Sequence, residues 1–441
     1  MLSTQTEFLI SLFLLLGCAL VAGELALRAG QLALVGQLLV GVLLGPTLLG
    51  PYIGLSTVSP SLSAVQILAT FFLLFLAGLE MGPTQVYAMR RTTLLLGLGI
   101  FFVPFAIILP TVHLVAPSLG LLTASFVAVT LSITALPVMA VMVSELGLSD
   151  REFGRVIMAA ALVNELSAVT VFALLLQVNS SGGHLGWMSF ATALGATALF
   201  LGIVFGAYYL LRAIRSRQRW RASTGKFAST VRYQEAGFAL LMVLSLGAAL
   251  LSQYLGLTFV IGAFYAGLLV TPESVGPQIY EPVRRVLHTF MWGLFIPLFF
   301  AITGLQTNLR LLFVPVAATI FLVLVIAAMF TKIGTGSILT KVQKWTTTDS
   351  LAFGFLVNSR GAVEIAMAVI LYTDGIISTF WFTIVVSVGL VCTIVAPIGA
   401  VTTWKSNAAS RADLLARAPR LMGHELLAPP DESPKGNAPP S

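Results

Sequence analysis

Charge is scarce in this chain. Asp, Glu, Lys and Arg make up 9% of its 441 residues, whereas soluble globular proteins contain about 25%. Hydrophobic residues make up 58%, and the mean hydropathy is +0.98. This composition cannot supply a water-facing surface, so we expect lipid to surround most of the chain. Length alone would predict two or three soluble domains, but that expectation does not apply to a continuous membrane bundle.

Cysteine and histidine are also rare. Cys18 and Cys392 lie in apolar segments at opposite ends of the chain, so they predict no disulfide framework. The four histidines are widely scattered and form no acid/base or metal cluster with the intramembrane carboxylates. We therefore expect neither an enzyme nor a resident cofactor. A membrane sensor would need a soluble output domain, and the sequence contains none.

Long apolar runs fill most of the sequence. A spanning helix needs about 20 predominantly apolar residues, and the ninth of our candidates is short while the tenth carries Pro297. The thirteen candidate segments are 7–23, 31–49, 62–80, 93–115, 119–144, 154–177, 187–211, 236–252, 255–271, 287–304, 311–333, 351–373 and 377–401. They predict an all-α polytopic membrane domain over residues 1–403. Residues 404–441, rich in Ala, Pro and charge, are predicted to form a disordered cytoplasmic tail.

Basic residues follow the predicted loops. Cytoplasmic loops are enriched in Lys and Arg. With the N-terminus outside, 21 of the 24 Lys and Arg residues fall on the inner side and only Arg310 falls in an outer loop. We therefore predict an N-terminus outside and a C-terminus in the cytoplasm. The short loops and the short tail favour a bacterial inner membrane. The net charge of +7 is then a topology signal rather than evidence for nucleic acid binding, although residues 212–232 are expected to contact anionic lipid headgroups.

The thirteen segments divide into six, one and six. Residues 7–177 and 236–401 would then form two repeats of opposite orientation, joined by a linker helix at 187–211. Inverted repeats with broken helices near the midplane are typical of secondary transporters. The fifth segment contains LSITALPVMA, where Pro137 removes a backbone donor, and its repeat mate contains LVNSRGAVEIA. We predict that these two helices are discontinuous.

Four charged residues lie deep in apolar segments, where each costs at least about 2.5–3.5 kcal/mol. Arg360 and Glu364 are four positions apart and are expected to pair on one helix face. Lys332 either joins a site or snorkels to the headgroups, and Asn164 is either a site residue or an interhelical hydrogen-bond partner. Glu165 has no basic residue nearby in the sequence, and an unpaired buried carboxylate is a good proton carrier.

One further acid lies at a predicted helix end. Glu80 closes the stretch FFLLFLAGLEMGP at the inner mouth of the third segment. Its position favours a solvated helix end over an ion funnel.

Five sequence blocks together resemble the monovalent cation:proton antiporter-2 family of sodium(potassium)/proton exchangers. The blocks are GQLLVGVLLGPTLLG (36–50), FFLLFLAGLEM (71–81), SITALPVMAVMVSELGLSDREFGRVIMAAALVNE (132–165), FIPLFFAITGLQTNL (295–309) and GFLVNSRGAVEIAMAVIL (354–371). They cover nearly the whole membrane part in family order. The resemblance implies a homodimer in which each subunit has a dimerisation domain and a core domain with two crossing, partly unwound helices. It also implies exchange of Na⁺ or K⁺ for H⁺.

The resemblance assigns site residues as well. The family's paired polar site falls on Asn164–Glu165, and a threonine at the break of the fifth segment falls on Thr134. The membrane lysine falls on Lys332, and the Arg-Gly segment with its following glutamate falls on Arg360 and Glu364. Here Glu replaces the usual Asp, and its extra methylene is expected to change the ion-size preference. Asn replaces the first Asp; in the family, Asn-Asp goes with electroneutral exchange and Asp-Asp with electrogenic exchange.

The missing first Asp also leaves the membrane lysine without its usual partner. For Lys332 we expect Glu165 or Glu364 in its place.

A mechanism follows from these residue types. Na⁺ and K⁺ are hard cations that prefer oxygen ligands: Glu165 supplies the charge, and Asn164, Thr134 and freed backbone carbonyls supply neutral oxygens. A proton and a cation would compete for the one carboxylate, which gives electroneutral exchange. The alternative is a sodium- or proton-coupled transporter of an organic anion, in which Arg360 binds the anion's carboxylate. In that case Na⁺ or K⁺ gradients alone would move no protons.

Overall fold

A computed structural model describes residues 4–53, 58–80, 91–145, 152–180, 187–216, 236–255 and 259–405, and every regular element in these ranges is helical. The α-helices are α1 (Thr4–Arg28), α2 (Ala33–Leu44), α3 (Gly50–Ile53), α4 (Pro60–Glu80), α5 (Arg91–Val115), α6 (Leu121–Thr130), α7 (Leu136–Glu145), α8 (Glu152–Ser180), α9 (Trp187–Ser216), α10 (Ala236–Tyr254), α11 (Phe259–Leu269), α12 (Pro277–Phe290), α13 (Ile296–Gln306), α14 (Pro315–Val342), α15 (Thr347–Val357), α16 (Ala362–Thr373) and α17 (Thr379–Lys405). Nearly all of the predicted tail, and most of the basic stretch 212–232, lie outside the described residues.

The fold is the predicted all-α membrane architecture. Eight helical stretches among the described residues are long and apolar enough to cross a membrane, judged by length and composition, and four shorter apolar helices accompany them. Each predicted segment overlaps one helix or two consecutive helices. The count of thirteen spans stays a prediction.

Two predicted segments take a different local form. The tenth segment runs through the end of α12, a π-helical turn at Met291–Phe295 and α13. Pro297 is the second residue of α13. Proline has no N–H to donate to the preceding turn. The wider π-helical turn is found in that preceding turn, directly before α13. The short ninth segment is α11, with 11 residues in place of the predicted 255–271.

The helices pack in two groups. In the first group α2 packs against α1 and α13, and α11 packs against α4 and α10. In the second, α5 packs against α8 and α14, and α17 packs against α14 and α15. The broken pairs α6/α7 and α15/α16 belong to this second group. The predicted crossing helices therefore lie together in one bundle, apart from the α1–α2–α4 bundle.

A constant sequence offset relates equivalent helix contacts in the two repeats. Gly78 of α4 and Gly304 of α13 are 226 positions apart (304 minus 78), and the same offset relates Gly41 of α2 to Gly267 of α11. A Cβ added at Gly78 would overlap the carbonyl oxygen of Phe264, and a Cβ added at Gly304 would overlap the carbonyl oxygen of Leu38. Leu38 and Phe264 are related by the same offset of 226 positions. The same contact is therefore made twice, once by each repeat.

These contacts explain why glycine is needed there. A Cβ added at Gly41 would overlap the Ala301 carbonyl oxygen, and one at Gly267 would overlap that of Phe75. Helices that lack an aqueous driving force associate through such close backbone approach at small residues. The α2–α13 and α4–α11 crossings are therefore the closely packed frame of the first bundle.

Candidate functional site

The two broken helices cross at their unwound segments. Residues 131–135 separate α6 from α7, and residues 358–361 separate α15 from α16. Half-helix α6 packs against α16, α7 packs against α15, and Ala135 N donates to Ser359 O at 3.2 Å. Backbone groups freed at membrane depth must find hydrogen-bond partners inside the protein. Each break here supplies some of these partners to the other break. Both breaks lie where the sequence predicts them.

Pro137 lies directly after the first break, so the turn before it is unwound, as the sequence predicts. It is the second residue of α7 and not part of the non-helical segment. Proline is tolerated in the first turn of a helix, where its missing N–H would have no intrahelical partner. Pro137 therefore helps to start the second half-helix after the break.

Arg360 closes the end of the first half-helix. Its Nη1 donates to Ile133 O at 3.0 Å and Thr130 O at 3.3 Å, and its Nη2 donates to Leu131 O. These carbonyls lie at the C-terminal end of α6, where the helix dipole is negative. The predicted pair with Glu364 is present, with Nη1 3.7 Å from Oε2 at 1% exposure of both side chains.

Thr134 occupies the repeat position of Arg360 and makes the equivalent bond. Its hydroxyl donates to Val357 O, at the end of α15, at 2.7 Å. It also accepts a hydrogen bond from Lys332 Nζ at 2.7 Å. The end of each half-helix therefore receives a hydrogen bond from the opposite break, from Arg360 at α6 and from Thr134 at α15, and Lys332 donates to that Thr134 hydroxyl.

Lys332 does not snorkel, and it does not bond to a carboxylate. It is 0% exposed, and its second acceptor is Ile100 O on α5 at 3.0 Å. Pro104 follows four residues after Ile100 inside the same helix, so it has no N–H to donate to that carbonyl. The ammonium takes the place of the missing donor. The hydrogen bonds of Lys332 thus go to a hydroxyl and a carbonyl, while Glu364, one of the two expected partners, interacts with it electrostatically.

Asn164 holds the first unwound segment in place. Its Oδ1 accepts from Thr134 N at 2.7 Å, and its Nδ2 donates to Ser132 O at 3.4 Å. Both polar ends of the amide therefore bond to the backbone of the break. The interhelical hydrogen-bond role considered for Asn164 is present.

Glu165 is buried beside the start of α7. It is 0% exposed, and its Oε2 accepts from Leu136 N, the first residue of α7, at 3.0 Å. A helix N-terminus carries positive potential and favours an anion. The other oxygen, Oε1, has no hydrogen-bond partner within the described part of the chain. One oxygen of the carboxylate is thus held by the backbone, and the other is buried without a hydrogen-bond partner among the described residues.

The structure brings most of the predicted residues to one place. Glu165, Asn164 and Thr134 line the first break, Lys332 joins them through Thr134, and Arg360 lies across the crossing. Glu364 lies behind Arg360, and a Cβ added at Gly389 would sit 3.2 Å from its Oε1.

Sequence reasoning expected freed carbonyls at the breaks but did not identify the individual backbone groups that bond to the site side chains. These groups are the Leu136 N–H and the carbonyls of Ile100, Ser132 and Val357. Only Pro104 gave a signal, because a proline inside a helix always frees one carbonyl.

Crossed, broken helices around a buried carboxylate define a secondary transporter with inverted repeats. The family model for the sodium/hydrogen exchanger transmembrane domain matches residues 5–405. The chain belongs to the sodium/hydrogen exchanger family, and it is an antiporter of monovalent cations and protons rather than an enzyme.

Similar proteins agree with this assignment. The chain is 25% identical over 411 residues to the Na(+)/H(+) antiporter NhaS4 of Synechocystis, covering 89% of this chain and 97% of that protein. It is 30% identical over 384 residues to the cation/H(+) antiporter 15 of Arabidopsis thaliana, covering 83% of this chain but 44% of that protein. The solved structure of the sodium proton antiporter MjNhaP1 from Methanocaldococcus jannaschii has a TM-score of 0.64 at 16% identity, covering 93% of this chain and 99% of that chain, which shows a shared fold.

Proposed function

We propose that the protein exchanges one Na⁺ or K⁺ for one proton at the carboxylate of Glu165, without net movement of charge. One observation carries the proposal: Oε2 is fixed by the Leu136 N–H, while the buried Oε1 has no hydrogen-bond partner among the described residues. A bare, half-satisfied carboxylate is costly at membrane depth. A proton or a cation on Oε1 removes that cost, and both cannot bind there at full strength.

Neutral oxygens complete the ligand set. Asn164 Oδ1 accepts one hydrogen bond and a carbonyl oxygen has two lone pairs, so one remains for a cation. Thr134 Oγ1 donates once and accepts once, which also leaves one lone pair. These two oxygens support Glu165 as the site of a hard cation.

Single-site competition supports electroneutral exchange. Asn164 is neutral, and the Lys332 ammonium is engaged by Thr134 and Ile100, so Glu165 is left as the exchangeable charge of the first break. Binding of a proton or a cation neutralises it and lets the second bundle move past the first. The bare anion resists that movement.

The geometry disfavours the organic anion alternative. Both terminal nitrogens of Arg360 already donate to backbone carbonyls. A carboxylate ligand would have to displace the bonds that close the end of α6.

The test is cation-driven proton movement in proteoliposomes with a pH dye inside. Na⁺ and then K⁺ are added to wild type and Glu165→Gln, with the membrane potential clamped and unclamped. Glu24→Gln is the matched control, because Glu24 is an exposed carboxylate in a surface pair with Arg28. We expect proton movement that does not depend on the membrane potential. It should be lost in Glu165→Gln and retained in Glu24→Gln. Exchange that persists in Glu165→Gln would contradict the proposal.

We also propose a homodimer in a bacterial inner membrane with the N-terminus outside and the C-terminus in the cytoplasm. The family resemblance supports the dimer, and the distribution of Lys and Arg supports the orientation. A reporter fused to the C-terminus that is active only in the cytoplasm tests the orientation. Cross-linking of the protein in native membranes tests the dimer.

A further inference from the structure

A hydrogen bond between two side chains joins a helix of the second bundle to a helix of the first. The Tyr265 hydroxyl on α11 lies 2.9 Å from the Thr170 hydroxyl on α8. Thr170 Oγ1 donates its one proton to Leu166 O at 2.7 Å, so Tyr265 is the donor in the bond between the bundles. The Tyr265 side chain is 5% exposed, and water therefore competes little for this bond.

Each partner belongs firmly to its own bundle. A Cβ added at Gly267 would overlap the Phe75 carbonyl oxygen of α4, and one at Gly262 would overlap the backbone of α10. Helix α11, which carries Tyr265, is thus closely packed between these two neighbours. Thr170 follows Glu165 by five residues on α8, which packs against α5. The bond therefore ties the helix that carries the proposed exchange site to the frame.

The two bundles meet unequally at the two membrane faces. The half-helices α7 and α16 are repeat mates, and inverted repeats point them to opposite faces. Helix α16 packs against the frame helices α4 and α13, whereas α7 packs against α8 and α15. Since α8 runs back from the α7 face, Thr170 lies on the α16 side of Glu165. The second bundle is thus closed against the frame on the α16 side, and the Tyr265–Thr170 bond lies on that side.

The repeat register shows what replaces this bond in the alternative arrangement. When inverted repeats expose a site to the other face, the two repeats exchange their contacts. The residues 226 positions from Thr170 and Tyr265 are Ala396 on α17 and Leu39 on α2, and α2 packs against α17. Neither of these side chains can form a hydrogen bond. The bond is therefore made in one arrangement and has no equivalent in the other.

Resting on the proposed function, we propose that Tyr265 is a positioning residue that latches the second bundle in the arrangement closed on the α16 side. One intramolecular hydrogen bond shifts an equilibrium by about two- to tenfold. The latch therefore favours the arrangement in which a cation reaches Glu165 from the α7 face. Apparent affinity falls with the fraction of protein in the binding-competent state. The latch thus strengthens cation binding at the α7 face and weakens it at the α16 face.

The test compares the two faces in vesicles of known, uniform orientation. The apparent KM for Na⁺ is measured from each side for wild type, Tyr265→Phe, Thr170→Val and the double variant. The ratio of KM at the α7 face to KM at the α16 face should rise about two- to tenfold in each single variant. The double variant should raise the ratio no further, because both substitutions remove the same bond.

Tyr208→Phe is the matched control. Tyr208 lies on α9 and is 1% exposed, and its hydroxyl has no hydrogen-bond partner in the part of the chain that the structure describes. This substitution removes a buried tyrosine hydroxyl without breaking the bond between the bundles. We expect it to leave the KM ratio unchanged.

The outcomes separate the latch from the function on which it rests. A merely structural bond would lower the midpoint of thermal unfolding without changing the KM ratio, and that result, with exchange still dependent on Glu165, overturns the latch alone. Equal changes of KM at both faces, or additive shifts in the double variant, also contradict it. If Tyr265→Phe does not fold, as judged by gel filtration, Thr170→Val decides. Exchange that persists in Glu165→Gln would overturn the proposed function, whatever the KM ratio.

Discussion

The bond from Lys332 to α5 makes a quantitative prediction about stability. Pro104 frees the Ile100 carbonyl, and Lys332 Nζ donates to that carbonyl at 3.0 Å. Lys332→Met keeps a side chain of similar length but leaves Ile100 O buried without this donor. An unsatisfied buried acceptor costs about 1–3 kcal/mol. Pro104→Ala supplies the missing N–H from within the helix, so that cost should disappear in the double variant.

The expected result is a coupling energy of about 1–3 kcal/mol between the two substitutions. Lys332→Met should destabilise the Pro104→Ala protein less than it destabilises wild type. The measurement is the free energy of unfolding from SDS titration in mixed micelles, followed by circular dichroism. A double-mutant cycle of wild type, the two single variants and the double variant isolates the contribution of the Ile100 carbonyl. The bond from Lys332 to Thr134 does not affect the coupling energy, because Lys332→Met removes it with or without Pro104→Ala.

Pro110 provides the matched control. It lies in the same helix and frees the carbonyl of Ala106 in the same way, whereas the hydrogen bonds of Lys332 go to Ile100 and Thr134. A cycle of Pro110→Ala with Lys332→Met should therefore be additive within about 0.5 kcal/mol. If the Pro104 cycle is equally additive, the ammonium does not replace the missing backbone donor and the reasoning is wrong.

Three further predictions test the site. Thr134→Val should lower the midpoint of thermal unfolding in detergent, because it removes the bonds to Val357 and Lys332, whereas Thr134→Ser should stay close to wild type. Glu165→Asp retracts the carboxylate from the Leu136 N–H and should lower the exchange rate at least about tenfold, since hydrogen bonds to charged groups contribute about 1.5–3 kcal/mol. Competition also predicts that the apparent KM for the cation rises about tenfold for each pH unit of acidification once the proton occupies most sites, at constant maximal rate; a fall in maximal rate alone would contradict competition.

Much of this architecture could be predicted because its signals are local. Apolar runs of membrane length, the Pro137 region and the Asn-Ser-Arg-Gly segment around Arg360 predicted two broken helices in equivalent segments. Glu165 stood out because a carboxylate in such a run costs free energy that only a function or a partner offsets. Each of these inferences needed only neighbours in the sequence.

The hydrogen-bond partner of Lys332 on α5 could not be predicted from neighbours in the sequence. Ile100 is 232 residues away, and its free carbonyl is visible only when Pro104 is placed inside a helix that faces α14. The expectation of a carboxylate partner followed charge alone. Backbone acceptors compete well for a buried ammonium, because hydrogen bonds to charged groups are roughly twice as strong as those between neutral groups.

The register of the repeats was present in the sequence but weak. Gly36 and Gly41 have the same spacing as Gly262 and Gly267, yet the residues between them differ. Only the backbone contacts show that these glycines are equivalent, since each pair meets the same carbonyl positions of its neighbours. Structural symmetry survives here at the few positions where a side chain would not fit.

The symmetry of the frame and the asymmetry of the site have different consequences. Equivalent crossings and equivalently closed half-helices give two arrangements of similar energy, which alternating access requires. The register that pairs Thr134 with Arg360 also pairs Glu165 with Val391, an apolar residue. The second break therefore has no carboxylate at the position equivalent to Glu165, and its nearby acid, Glu364, is paired with Arg360. A symmetric scaffold with one exchangeable acid would carry one ion per cycle, and this is the physical basis of the proposed exchange of one cation for one proton.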